Sequence, residues 1–439
     1  MKGWKAAFLL AGLGWAGPSP AAAPEPLRLD LAGALRTALA QNPAVQRQAL
    51  EQARQEAQVQ EARGALLPTV QGQAGEVRQK INFEALAGMP VPGFPRVVGP
   101  FSVQTLAASA QVPLLDLSLW RRWQGARSTS EGAKAETVRV REEIAALVVG
   151  QYLLGLRDEA QIRAVSARIE LARTLEQLAV HQEDSGVGTG LDTLRAKVRT
   201  QTEEQALIRA RTALREAEAG MARLLDLPGD QDLALEPLAD FPSGSGSTLD
   251  QDLAAAQGRR AEYRVLEAQG RAADQNTAAA AALALPTVQA FGTYETLGLT
   301  TTNLLPVYEV GVQVSIPLFQ GGRVQARESQ ARAERAQVDT RRRDLEAQVR
   351  FEVATARERL EASRAEAQVA RRTLELARAE LEQARHRFEA GVSSNIELVT
   401  AQEELARAEE GHLDADYRLD QAWADLAHAK GELESKYGL

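Results

Sequence analysis

The chain has no cysteine among its 439 residues. That excludes disulfides, thiolate metal sites and a lipid-anchored N-terminal cysteine. Aromatic residues make up only 5 %, which points away from ordinary compact cores and toward long helices. Beyond residue 23 no apolar run reaches the length of a membrane helix, so any passage through a bilayer has to be made by strands. No basic run offsets the formal net charge of -8, and nucleic acid is therefore excluded as a partner. A His-Glu-x-x-His helix, a phosphate loop between strand and helix, and a nucleophile elbow are all missing, which leaves no motif for catalysis, cofactor binding or metal binding.

What is abundant is Ala, Leu, Glu, Arg and Gln in a seven-residue rhythm. Val353, Leu360, Ala367, Leu374, Leu381 and Phe388 fall seven apart, with Ala356, Ser363, Ala370, Ala377 and Ala384 three positions behind. After a short break the rhythm restarts as Leu398, Leu405, His412, Leu419, Leu426 and Leu433, the first five each followed at the third position by an alanine. A strict heptad on a 3.6-residue helix forces left-handed supercoiling, and so short a break forces the two arms to run antiparallel. The stretch predicts a coiled-coil hairpin. His412, in a leucine slot, reads as a polar residue that sets register.

Lys2 and Lys5, the apolar stretch Ala6 to Ala16 and the small residues that follow predict a signal peptide over 1–22, cut after residue 21 to 23. The remainder is an internal duplication. Leu67-Pro68-Thr69-Val70 recurs as Leu285-Pro286-Thr287-Val288, Val112-Pro113-Leu114 as Ile316-Pro317-Leu318, and Gly186-Val187 as Gly391-Val392. The first repeat, 23–228, is expected to hold strands at 69–83 and 101–114, a long helix at 119–185, a tip at 186–190 and a helix at 191–227. A connector, 229–248, leads to the second repeat, 249–439, with strands at 286–297 and 307–317, a long helix at 323–389, a tip at 390–395 and a helix at 396–433.

The strands decide the environment. Tyr308, Val310, Val312, Val314 and Ile316 alternate with Glu309, Gly311, Gln313 and Ser315, so one face suits lipid and the other water. The other strands alternate less cleanly, with Phe101, Val103, Gln289 and Phe291 fitting neither face simply. Four strands cannot enclose a water-filled lumen, and an open edge is forbidden in lipid, so closure calls for several copies.

On these features the chain resembles the TolC-like outer membrane factor family. The carriers are Ala34-Leu35 through Ala38-Leu39, Asn42-Pro43, the Leu-Pro entries to strands at 67 and 285, Pro113-Leu114 and Pro317-Leu318-Phe319 before the long helices, and the glycine-to-acid tips. The resemblance implies a mainly α fold with a small β part: antiparallel coiled-coil hairpins forming an α-barrel, and four strands per chain in a trimeric 12-stranded β-barrel. It implies a homotrimer in outer membrane lipid with a periplasmic helical extension. Such a duct serves an efflux pump or a type I secretion system, and its partners are a periplasmic adaptor and an inner-membrane transporter. The family's tip motif falls on Ser185, Gly186 and Val187 with Asp192, and on Ala390, Gly391 and Val392 with Glu397; these are the expected adaptor-docking residues. Simple turn chemistry accounts for the same residues.

Glu183, Asp184, Glu382 and Glu389 are the acids nearest the tips and, by the resemblance, candidates for a periplasmic gate. His181 and His386 occupy equivalent positions in the two repeats, five residues before each tip glycine. As the side chains that titrate near neutrality, they are candidates for making opening pH-sensitive. The rival reading is a periplasmic coiled-coil adaptor or scaffold without a pore.

Overall fold

The computed structural model describes residues 27–82, 84, 85, 88, 89, 92, 93, 95–229, 231–238, 247–300, 302–390, 392 and 395–436. The expected signal peptide and Gly391 lie outside the described residues. A short strand, β1 (Leu27–Leu29), precedes α1 (Leu31–Gln41), which Asp30 caps by accepting a hydrogen bond from the Gly33 N–H. Pro43 then holds Asn42 out of the helical region, at ψ 127°, while itself suiting the first position of α2 (Pro43–Gly64). Strands β2 (Thr69–Asn82) and β3 (Val97–Leu115) form a hairpin leading into α3 (Leu117–Asp184), which is 68 residues long. At 1.5 Å per residue α3 reaches about 100 Å. It is followed by α4 (Gly190–Leu225) and a second short strand, β4 (Leu233–Leu235).

The order recurs as α5 (Leu249–Arg259), α6 (Ala261–Ala282), β5 (Thr287–Gly298), β6 (Leu305–Ser315), α7 (Arg323–Glu389) and α8 (Asn395–Ala429), with a last turn α9 (Leu433–Lys436). Along α3 lie α2, α4 and α6, while α7 packs on α6 and α8; α3 and α8 join the two hairpins. The predicted seam between α7 and α8 is a packed core. Leu374, Ala377, Leu381, Ala384 and Phe388 meet Leu398, Ala401, Leu405 and Ala408, with Leu175 of α3 completing the cluster.

Two features differ from the sequence reading. The pairing of β1 with β4, in parallel, is one; three-residue strands carry no periodic signal, and this one places a piece of the connector in the core. Tyr152, fully buried midway along α3, has its hydroxyl 2.9 Å from the Leu29 carbonyl and 2.6 Å from that of Glu236, stitching both segments to the long helix. Burial pushes this phenol up to about 12. The other difference is the end of α8. It stops at Ala429 instead of running to residue 433, because Gly431 takes the left-handed conformation, φ 66°, and turns the chain. Leu433 is buried as the heptad requires, but from α9 and in the central core beside Tyr152, Leu35 and Leu225.

The sheet order is β2-β3-β5-β6, all antiparallel. Its register sorts the residues that alternation along single strands left ambiguous. Val310 pairs with Gly292, Gly292 with Ala110, and Ala110 with Val70; one position along, Val312 pairs with Ala290 and Ala290 with Val112. Paired residues share a face, so over these rows, next to the helices, one face is apolar; farther from the helices the same face carries Gln104 with Glu76 and Ser102 with Arg78, while Val103 with Val77, and Phe101, fall on the other. The other runs through Gln313, Gln289 and Pro113, and through Gly311, Phe291, Gln111 and Thr69. Phe291 belongs to this second face, where its ring covers Gly311 so closely that a Cβ there would lie 2.9 Å from it. Ile316 falls one residue beyond β6, still exposed.

Candidate functional site

The two tips lie at the ends of the hairpins away from the sheet. In the first, Ser185 ends α3 and Gly186 takes φ 73°. The Gly186 N–H then donates to the Glu183 carbonyl at 3.0 Å and the Val187 N–H to that of Gln182 at 2.9 Å. These paired bonds satisfy the last carbonyls of the helix, which is why glycine stands there. Ser185 closes the turn further, its Oγ donating to the His181 carbonyl at 2.7 Å. Thr189 and Asp192 start α4 as a reciprocal capping box, each side chain bonding the other's backbone N–H. Ser185, Gly186 and Asp192 thus have turn chemistry as their visible work, and Val187 does not: its side chain is 75 % exposed.

The second tip repeats the pattern in its described residues. Ala390 ends α7, its N–H donating to the His386 carbonyl, and the Val392 N–H donates to Arg387 at 3.0 Å, as Val187 does to Gln182. Glu397 sits in the first turn of α8 and pairs across the turn with Arg387 at 3.0 Å. Val392 is 68 % exposed. Both tips therefore present a valine to solvent from a turn rigidly closed by backbone hydrogen bonds.

Between the tips lies a groove of ≈ 520 Å³ that sequence reasoning missed. Leu191, Leu194 and Val198 of α4 form one wall, and Ile396 and Val399 of α8 the other. The signal was an apolar stripe at spacings of three and four starting beside each tip. It was obscured because both stripes lie off the heptad seam.

The candidate gate acids do not converge on one point. Glu183 and Asp184 are exposed at the end of α3. On α7, Glu389 pairs with Arg385 at 2.9 Å, and His386 stands 3.9 Å from Glu382 and 3.8 Å from Glu389. His181 and His386, equivalent in sequence, thus differ in surroundings: among the described residues His181 has no such pair of carboxylates.

Deeper between the hairpins a buried charge cluster holds α3, α4 and α8 together. Arg168 of α3 reaches Glu203 of α4 at 3.0 Å and Glu409 and Glu410 of α8 at 3.2 Å and 3.4 Å. Arg199 pairs with the same Glu203 at 2.6 Å and donates to the Gln402 carbonyl. One guanidinium can satisfy acids on two helices because its donors are fixed in a fork.

Further along α8, His412 is half-buried in its leucine slot with Nε2 3.5 Å from Asp416. One turn on, burial and then the Asp416 carboxylate push Asp420 up to about 6. A carboxyl raised in the folded state penalises folding where it must ionise. Stability should therefore be highest below pH 4 for this group and fall as pH rises toward 6. Asp420→Asn is expected to flatten that slope and stabilise the protein at pH 7 by about 1 kcal/mol, after discounting for partial exposure. Unfolding midpoints at pH 4, 6 and 7 check it.

A profile of the outer membrane efflux protein family matches residues 34–226 and 253–432, one stretch for each repeat. No curated protein sequence matches the chain. Among solved structures, the outer-membrane channel OprN aligns at 20 % identity and TM-score 0.79, covering 92 % of this chain and 90 % of that one. The outer membrane protein VceC from Vibrio cholerae aligns at 18 % and 0.80, covering 91 % and 96 %. The outer membrane channel MtrE of Neisseria gonorrhoeae, in its open state, aligns at 19 % and 0.74, covering 92 % and 89 %. These likenesses establish a shared fold, a TolC-like one with internal duplication. The family profile reaches across both repeats, and the chain belongs to the outer membrane efflux protein family.

Proposed function

We propose that this protein is the exit duct of a tripartite efflux pump or type I secretion system. In this reading three copies form a β-barrel in the outer membrane and a helical tunnel through the periplasm. The observation that carries it is the sheet. In its part next to the helices it is apolar on one face and polar on the other, and its outer strands β2 and β6 are paired on one side only. Lipid against the apolar face leaves no water for those edges, so β6 of one copy has to meet β2 of the next. The helices support the same closure. α4 and α7 flank the pair of hairpins and expose Ile208 on one and Leu376 on the other, the faces a neighbouring copy would cover.

We assign adaptor docking to the tips, with Val187 and Val392 as the exposed contacts, Ser185, Gly186, Asp192, Ala390 and Glu397 holding or framing the turns, and Gly391 as the remaining tip residue of the assignment. Glu183, Asp184, Glu382 and Glu389, with His181 and His386, are the proposed mouth. The leader directs export, and 23–228 and 249–439 are the two repeats of the duct. Replacing both valines, Val187→Glu with Val392→Glu, is expected to lower adaptor affinity at least tenfold while leaving trimer assembly intact, because neither side chain packs inside the chain. Co-purification with the cognate adaptor and the mass of the solubilised protein check the two halves of that statement. The reading itself is tested by expression with the native leader. An outer-membrane species of three chains, well over 100 Å long, supports the duct; a soluble periplasmic monomer or dimer removes the barrel.

A further inference from the structure

The junction between sheet and helices carries a charge pattern unlike the rest of this acidic chain. No Asp or Glu occurs from Leu117 to Ser130, from Gln275 to Tyr294, or from Val310 to Arg327. The nearby Asp116 is engaged in capping α3, accepting from the Leu119 N–H and the Ser118 hydroxyl. Five exposed arginines stand in the same zone: Arg63 at the end of α2, Arg122 and Arg127 at the start of α3, and Arg323 and Arg327 at the start of α7. At 1.5 Å per residue all lie within about 15 Å of a helix end.

None of the five makes an ion pair among the described residues. Arg127 instead lies over the Trp123 ring at 5.4 Å, and Arg323 donates to the Gln320 side chain at 3.0 Å. Farther along the same helices acids return and several arginines are paired: Arg139 with Glu136 and Glu143, Arg332 with Glu328, Arg335 with Asp274.

Beside this collar the exposed side chains are apolar. Leu67, Leu114, Trp120 and Leu285 are all exposed, and Leu318 and Phe319 are 92 % and 89 % exposed. Ile316, Leu318 and Phe319 follow directly on the end of β6, so exposed apolar side chains continue from the strand to the start of α7. An apolar rim with tryptophan, backed at once by unpaired arginines, matches the chemistry of a bilayer edge: acyl chains, then phosphates.

We propose that this collar is a binding surface for anionic phospholipid headgroups on the helix side of the membrane. The rim side chains lie against the acyl region and the five arginines meet the phosphates. The inference rests on the membrane reading of the sheet. Guanidinium favours an anionic lipid over a zwitterionic one because the latter's ammonium opposes the same field.

The test uses the full chain reconstituted in phosphatidylcholine vesicles, with or without phosphatidylglycerol, and quenching of tryptophan fluorescence by brominated forms of each lipid. The relative affinity for phosphatidylglycerol is expected to be about five- to tenfold at low salt and to approach unity at about 0.5 M salt, where the Debye length is only a few Å. The variant Arg122→Gln/Arg127→Gln/Arg323→Gln/Arg327→Gln should bring it below about twofold at low salt, with quenching by the neutral lipid unchanged. Should that variant fail to fold, the salt titration of the unaltered chain decides alone. Equal quenching by both lipids at low salt, or quenching by neither, overturns the collar while leaving the barrel standing. Displacement by millimolar inorganic phosphate overturns it in favour of a free-anion site. Failure to float with vesicles of either composition removes the membrane reading and the collar together.

Discussion

Arginine in place of Val312 is expected to destabilise each chain by about 3 kcal/mol and, with three copies in one barrel, to prevent assembly in the membrane. Val312 sits inside β6, three residues before its end, opposite Ala290, on the face where Val310, Val314, Gly292, Ala110 and Val112 also lie. None of these neighbours can pair with a guanidinium, and the nearer end of the strand, Ser315, is about 10 Å away. The neighbouring Gln313→Arg is the control. It projects to the opposite face, where it meets Gln289 across the ladder and has Glu309 farther along its own strand, so it should assemble with little loss. Yield of detergent-resistant trimer and denaturant unfolding from bilayers measure both variants. Equal penalties would mean that the sheet has no lipid face; a penalty at Gln313 alone would reverse the two faces.

Arg168→Ala is expected to cost about 3 kcal/mol, the low end for breaking a buried ion pair. Arg168 is 6 % exposed and Glu203 4 %. Removing the guanidinium leaves Glu203 buried with Arg199 alone, frees Glu409 from α3, and leaves Glu410 with the 3.3 Å hydrogen bond from Gln161. The loss is held to the low end because Arg199 stays on Glu203. Arg168→Lys should recover only part of it, since a single ammonium lacks the fork that serves two helices. The denaturation midpoint gives the energy, and amide exchange gives its place: protection should fall in α8 around residues 402–412 and persist in the sheet. As these contacts tie the second hairpin to the first, the reconstituted channel should also conduct more readily. Uniform loss of protection across the chain would make Arg168 a general core residue with no special hold on α8.

Much of this architecture could be read in advance where the chain repeats a physical period. Seven-residue spacing needs no neighbours to be recognised, and Val353, Leu360, Leu374, Leu381, Leu398, Leu405 and Leu426 of that seam are buried. Helix breaks were legible for a related reason, since Asn42-Pro43 and Gly186 act through the backbone of one or two residues. Reading failed where the cause lay between distant segments. The three residues of β1 become a strand only because Leu233 to Leu235 lies beside them under Tyr152. Arg168 is one arginine among many on a helical surface until α4 and α8 bring three carboxylates to it. The groove at the tips has one wall in each repeat.

By itself, then, the sequence determined the duplication, the long helices, the hairpin tips and one strand with two distinct faces, because each of these is a matter of local period or local backbone geometry. Only the tertiary structure decided that the paired strands share those two faces next to the helices, with Phe291 on the polar one over Gly311. It alone also showed which charges are buried together. Cross-strand register and inter-helix contact depend on which residues meet, and neither alternation along one strand nor spacing along one helix carries that information.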